Sequence, residues 1–219
     1  MHLDSSISSK HRIEKLDIVN PKFSISDLPD DKIWAEFKSG NEGAFNHIYK
    51  TYFQDLYTYG QQYSKDLYLL QDLIQDLFID IRKNRRNLGN TTSIKFYLFK
   101  AFRRKICRHL KRNKIIYTGD IESFCNLKIE NLAEVRILQS QLDDKKKKAL
   151  EQAFAKLSKR QKEAVYYYFY QSMDYNEVAS IMDLNHVKSA RNLIYKSIDA
   201  LKNQLYPIKN KLLTLIFAL

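Results

Sequence analysis

Between residues 30 and 112 the apolar side chains return at steps of three and four, the spacing of a helix with one buried stripe. Ile33, Trp34 and Phe37 open a short helix, and Ser39-Gly40-Asn41 stops it, with Asn41 placed to cap the next one. Phe45, Ile48, Tyr49, Tyr52, Phe53 and Leu56 mark the second stripe. Leu69, Leu70, Leu73, Ile74, Leu77, Phe78 and Ile81 mark the third, which Asn87-Leu88-Gly89-Asn90 breaks. A fourth helix begins near Ser93 and carries Ile94, Tyr97, Leu98, Ala101, Phe102, Ile106 and Leu110.

The regularity fades from residue 114, where Thr118-Gly119-Asp120 reads as a turn and Leu132, Val135, Arg136 and Gln139 suggest one short helix. It resumes at Asp143. Ala149, Leu150, Ala153, Phe154 and Leu157 form a stripe, and Ser158 is placed to cap a helix carrying Ala164, Val165, Tyr168 and Phe169. Tyr175 to Met182 then forms a short helix, Asp183-Leu184-Asn185 a tight connection, and His186 to Leu201 a second helix with Val187, Ala190, Leu193, Ile194 and Ile198 inward. The expected layout is an all-α chain: a polar arm (1–29), a helical domain (30–114), a linker (115–142), a second helical domain (143–206) and a short apolar tail (207–219).

With five Gly and three Pro in 219 residues, little interrupts these helices. A net charge of +12 changes the picture more, because a basic protein of this size commonly meets a polyanion. Cys107 and Cys125 lack metal-site spacing and fit a reduced cytoplasmic setting. The first thirty residues lack the apolar run of a signal peptide, and the stretch 212–219 is too short to span a bilayer.

The charge is concentrated. From Arg82 to Lys114 there are thirteen Lys and Arg and no Asp or Glu. Like charges this dense repel on a helix, and a phosphate backbone relieves them with release of counterions. Phe96, Tyr97, Phe99 and Phe102 interleave with these cations; some must pack inward, and the others are available to stack on unpaired bases. Just upstream, Asp72, Asp76 and Asp80 are four apart and share a face beside Gln71 and Gln75, a surface suited to a basic partner or to plain solvent. The segment from Tyr175 to Lys196 has the layout of a helix-turn-helix, with His186, Lys188, Ser189, Arg191, Asn192, Tyr195 and Lys196 outward on the second helix. Arg reads guanine edges and Asn reads adenine. No phosphate-binding Gly loop or metal-binding His pair is present, so neither an enzyme nor a cofactor is expected.

In this order the parts resemble sigma-70-type factors of the extracytoplasmic function group. Gly40-Asn41-Glu42-Gly43-Ala44-Phe45, followed by Ile48-Tyr49 and Tyr52-Phe53, looks like the opening of sigma region 2. The run from Leu70 to Phe78 resembles the polymerase-docking helix. Leu157 to Ala164, Tyr175 to Ala179 and Ser189 to Lys196 resemble region 4. The resemblance implies that Asp72, Gln75, Asp76 and Asp80 meet the clamp helices of the largest subunit of core RNA polymerase, whose flap is a further contact. It implies that Lys95, Phe96, Lys100, Arg103, Arg104, Arg108, Lys111 and Arg112 contact the promoter −10 element, and that the helix from His186 to Lys196 reads the −35 element. An anti-sigma factor is expected as a partner, and no small-molecule substrate. Two departures stand out: Arg104 occupies a position where the family often has Asn, and Asp183 replaces the usual turn Gly. Two rivals use the same charges differently: a free-standing helix-turn-helix regulator on a palindromic site, and a basic adaptor for RNA or a membrane surface.

Overall fold

The computed structural model describes residues 24–112 and 144–205. The expected arm up to residue 23, the linker with its turn and short helix, Cys125 and the tail from 207 lie outside the described residues. Within them the chain is all-α. The first unit consists of α1 (Asp30–Ser39), α2 (Glu42–Gly60), α3 (Leu67–Lys83) and α4 (Ile94–Arg112). The second consists of α5 (Asp144–Ala155), α6 (Lys159–Val165), a π-helical turn (Tyr166–Tyr170), α7 (Tyr175–Ile181) and α8 (Val187–Leu205).

The helix ends follow from local chemistry. Gly40 closes α1 at φ 104°, a left-handed conformation that costs glycine nothing. The Asn41 side chain then accepts from the N–H groups of Gly43 and Ala44, satisfying donors that α2 leaves unpaired. Asp66 does the same for Leu69 at the head of α3. Ser158 with Gln161, and Asp174 with Glu177, form capping boxes at α6 and α7.

The first unit packs around Trp34, Phe37, Leu56, Ile74, Leu98 and Phe102, all buried. Trp34 leans on Phe37 and Tyr97, and its indole N–H donates to the Gly89 carbonyl at 2.8 Å, fixing the α3–α4 loop to α1. At Gly60 a Cβ would fall 2.9 Å from Leu70 and 3.2 Å from Phe102, so glycine lets α2 approach α3 and α4 closely. Burial pushes the Tyr52 phenol up to about 12, with Asp30 and Asp55 adding to the shift, and burial lifts Tyr167 well above its ordinary value of 10.0. Above that value the unfolded chain ionises its tyrosines while these two stay protonated, so deprotonation favours unfolding. The urea midpoint should therefore fall between about pH 10 and about pH 12, and Tyr52→Phe should blunt that fall.

Two details differ from the sequence expectation. The helix expected to run on through Tyr168 and Phe169 widens at Tyr166, where the Gln171 N–H reaches back five residues to the Tyr166 carbonyl at 3.1 Å. The adjacent rings of Tyr166 and Tyr167 are both buried there. Val187, expected inward, is 37% exposed because it sits in the first turn of α8, ahead of the first inward position, Ala190.

The two units share one apolar core. Tyr59 in α2 stacks on Tyr166 and bonds to the Tyr167 hydroxyl, while α4 lies against α7.

Candidate nucleic-acid interface

Three exposed surfaces are built from these helices. On α3 the buried face of Leu70, Leu73, Ile74, Leu77, Phe78 and Ile81 turns Asp72, Gln75, Asp76 and Asp80 to solvent. Tyr68, at 82% exposed, and Ile79, at 47%, are exposed on the same helix, and charge pattern alone did not mark them. A face that mixes carboxylates with bare apolar side chains suits a partner more than it suits water. Lys105 of α4 reaches Asp80 at 2.6 Å and Asp76 at 3.9 Å, whereas Asp72 has no ion pair among the described residues.

The basic helix α4 divides the cations that the sequence groups together. Ile94, Leu98, Phe102, Ile106 and Leu110 face the core. To one side, Arg104, Arg108, Lys111 and Arg112 are exposed and make no ion pair among the described residues. To the other, Lys95, Phe96 and Lys100 are half-buried and Arg103 is buried. Lys100 lies 5.4 Å from the Phe96 ring centre and donates to the Ser180 hydroxyl of α7 at 2.5 Å. Arg103 Nε meets Glu163 Oε1 at 2.9 Å, and its Nη1 lies 3.3 Å from Asp183. Burial opposes the charge on Arg103, but Glu163 and the surrounding tyrosines overcompensate and hold the guanidinium protonated. Arg103 was expected on DNA; in this arrangement it faces the second unit, because a step of one residue turns a helical position by about 100° from Arg104. Two further cations of the stretch have carboxylate partners: Arg82 pairs with Glu42 at 2.7 Å, and Lys105 with Asp80.

Beside Arg104 and Arg108 a cleft of about 310 Å³ opens between the end of α3, the following loop and α4. Leu77, Ile81, Leu88, Tyr97 and Ala101 supply apolar walls, and Asn84, Arg104, Arg108 and the Lys105–Asp80 pair the polar rim. In the sequence Leu88 stands only as part of the break after α3 and Asn84 is unmarked; their place beside a basic helix was the available signal.

The third surface is the α7–α8 pair. Leu184 N–H bonds the Ala179 carbonyl at 2.8 Å across Asp183, which takes φ 52°, so the turn closes in the form usually given to glycine. Small, buried Ala179 allows the helices to cross closely. Lys188, Ser189, Arg191, Asn192, Tyr195 and Lys196 are exposed along α8, and exposed His186 immediately precedes it. The Arg191 guanidinium lies 5.1 Å from the Tyr175 ring centre, and Tyr175 stacks on Tyr168.

Residues 48–115 match the family model for sigma-70 region 2. The structure of CnrH in complex with the cytosolic domain of CnrY aligns with a TM-score of 0.52 and 17% identity, covering 82% of this chain and 99% of that one. The stretch 48–115 thus resembles sigma-70 region 2, and the fold is shared with CnrH. No curated protein sequence matches it. The region 2 match falls on the first unit. Among the described residues no helix is long and apolar enough to cross a membrane, and no group of side chains is arranged to hold a metal ion.

Proposed function

We propose that this chain is a sigma factor of the extracytoplasmic function group, which docks on bacterial core RNA polymerase through the exposed face of α3 and directs it to promoters by a −10 contact from α4 and a −35 contact from α8. The observation that carries the proposal is the placement of three chemically distinct exposed faces on one chain. The α3 carboxylates with Tyr68 and Ile79 suit a basic, partly apolar partner surface such as the polymerase clamp helices. Arg104, Arg108, Lys111 and Arg112 suit a phosphate backbone, and the adjoining cleft, with Tyr97 in its wall, suits an unpaired base drawn out of the duplex. The α8 side chains from Lys188 to Lys196 suit a major groove. A free-standing repressor has no use for the α3 face. Each DNA contact is weak alone; held on one polymerase they act together, because the second becomes intramolecular. An anti-sigma partner belongs to the same reading, since CnrH itself was solved with the cytosolic domain of a second protein.

Mixing the purified chain with core polymerase and isolating the complex by size exclusion tests the docking step; a chain that elutes wholly apart from core refutes it. For promoter reading, Arg191→Ala and Asn192→Ala should each change the preferred −35 base at one position, by about 1–3 kcal/mol, in a selection from randomised promoters. An equal loss on all sequences reduces both residues to phosphate contacts.

A further inference from the structure

We propose that the second unit holds the first in a closed state through Glu163 and Asp183, which occupy Arg103 in the place a DNA phosphate would take. The inference rests on the proposed promoter function for its DNA half and on geometry for its closed half.

Within the apolar contact the junction also carries a buried polar cluster. Glu163 is 2% exposed, and its Oε1 receives Arg103 Nε at 2.9 Å and the hydroxyls of Tyr63 and Tyr167, each at 3.1 Å. The Tyr59 hydroxyl joins those of Tyr63 and Tyr167. Thus Tyr59, Tyr63 and Arg103 of the first unit and Glu163 and Tyr167 of the second satisfy one another in a single buried network. Apolar side chains of equal volume would hold two units together at least as well. What polar groups add is separability, since each can be taken up by water when the units part.

Asp183 adds an independent observation. At φ 52° glycine is the residue of lowest cost, and Asp there carries some backbone strain. The carboxylate placed by that strained turn lies 3.3 Å from Arg103 Nη1. Lys100 is likewise drawn to Ser180, on the short helix α7 that ends just before this turn. The second unit thereby engages two cations that the resemblance assigns to promoter contact, while Arg104 and Arg108 remain exposed. A guanidinium fork donates to carboxylate or phosphate oxygens by the same geometry, so the two partners compete for it.

The test uses the full chain carrying Glu163→Gln and Asp183→Gly. Gln keeps the shape and an acceptor for the tyrosine hydroxyls, and Gly relieves the left-handed turn, so neither change removes the fold of its own unit. A control chain with Asp31→Asn and Asp199→Asn, both exposed, carries the same change in charge. Sedimentation velocity without DNA should show a higher frictional ratio for the first variant only. Anisotropy on a random duplex should show binding about tenfold tighter than the control, as a rise in the open fraction demands. An unchanged frictional ratio overturns the closed state, and an opened chain that binds DNA no better than the control overturns the competition for Arg103. A chain that opens and grips DNA more tightly, yet starts no transcription with core polymerase, supports the closed state and counts against the promoter function alone.

Discussion

Replacing Asp72 and Asp76 together by Lys is expected to weaken capture by core RNA polymerase about a hundredfold. Both carboxylates are exposed on α3, and their reversal places cations where the proposal requires acceptors for a basic partner. The fold has little at stake. Asp72 has no ion pair among the described residues, and Asp76 meets Lys105 only at 3.9 Å, a surface pair of small worth. Thermal unfolding of the double variant should stay close to that of the parent while polymerase binding, followed by surface plasmon resonance, collapses. A variant that binds core normally removes α3 from the docking surface. Ile79→Asp should act in the same direction, because it places charge on an exposed apolar side chain of that helix.

The second large effect is on stability. Trp34→Ala should cost about 3–5 kcal/mol, the usual penalty for emptying an aromatic site in a packed core. Trp34 is 1% exposed, touches Phe37 and Tyr97, and holds the Gly89 carbonyl. A loss of that size is a large part of the stability of a small domain and should lower Tm by more than about 10 °C in calorimetry. Trp34→Phe separates the two contributions: most of the packing survives, but the Gly89 carbonyl loses its donor, at a cost of about 1–3 kcal/mol. Because that carbonyl lies in the loop that also carries Leu88 to the cleft wall, Trp34→Phe should weaken DNA contact by α4 more than its modest effect on unfolding suggests. If Trp34→Ala unfolds at the parent temperature, the packing of α1 described above is wrong.

The helices were legible because their signals are local. Asn41 and Ser158 cap where their side chains allow, and the stripes on α3 and α4 repeat at the helical period. The outward set on α8 was legible for the same reason: once Ala190 and Ile194 are inside, Arg191, Asn192 and Tyr195 must be outside. Val187 was misplaced because the first turn of a helix has no preceding turn to press it inward. What the sequence hid was pairing over long separations. Arg103 reads as one of thirteen cations, and nothing near it in the chain announces a carboxylate sixty residues away. Tyr59, Tyr63 and Tyr167 read as ordinary core aromatics, and only their meeting at Glu163 makes them a polar junction. The left-handed Asp183 was visible as a departure from glycine, but the guanidinium it faces was not. The cleft beside α4 was hidden for a similar reason, since helix, loop and helix each contribute one wall.

Mapping transcript 5′ ends from genomic DNA, with core polymerase present and this chain added or withheld, tests the account most directly. Starts that depend on the chain should share two sequence elements at a fixed separation, one near −10 and one near −35, and should vanish with the Asp72→Lys/Asp76→Lys variant. An unchanged start-site profile on adding the chain, or new starts that share no element, contradicts the account.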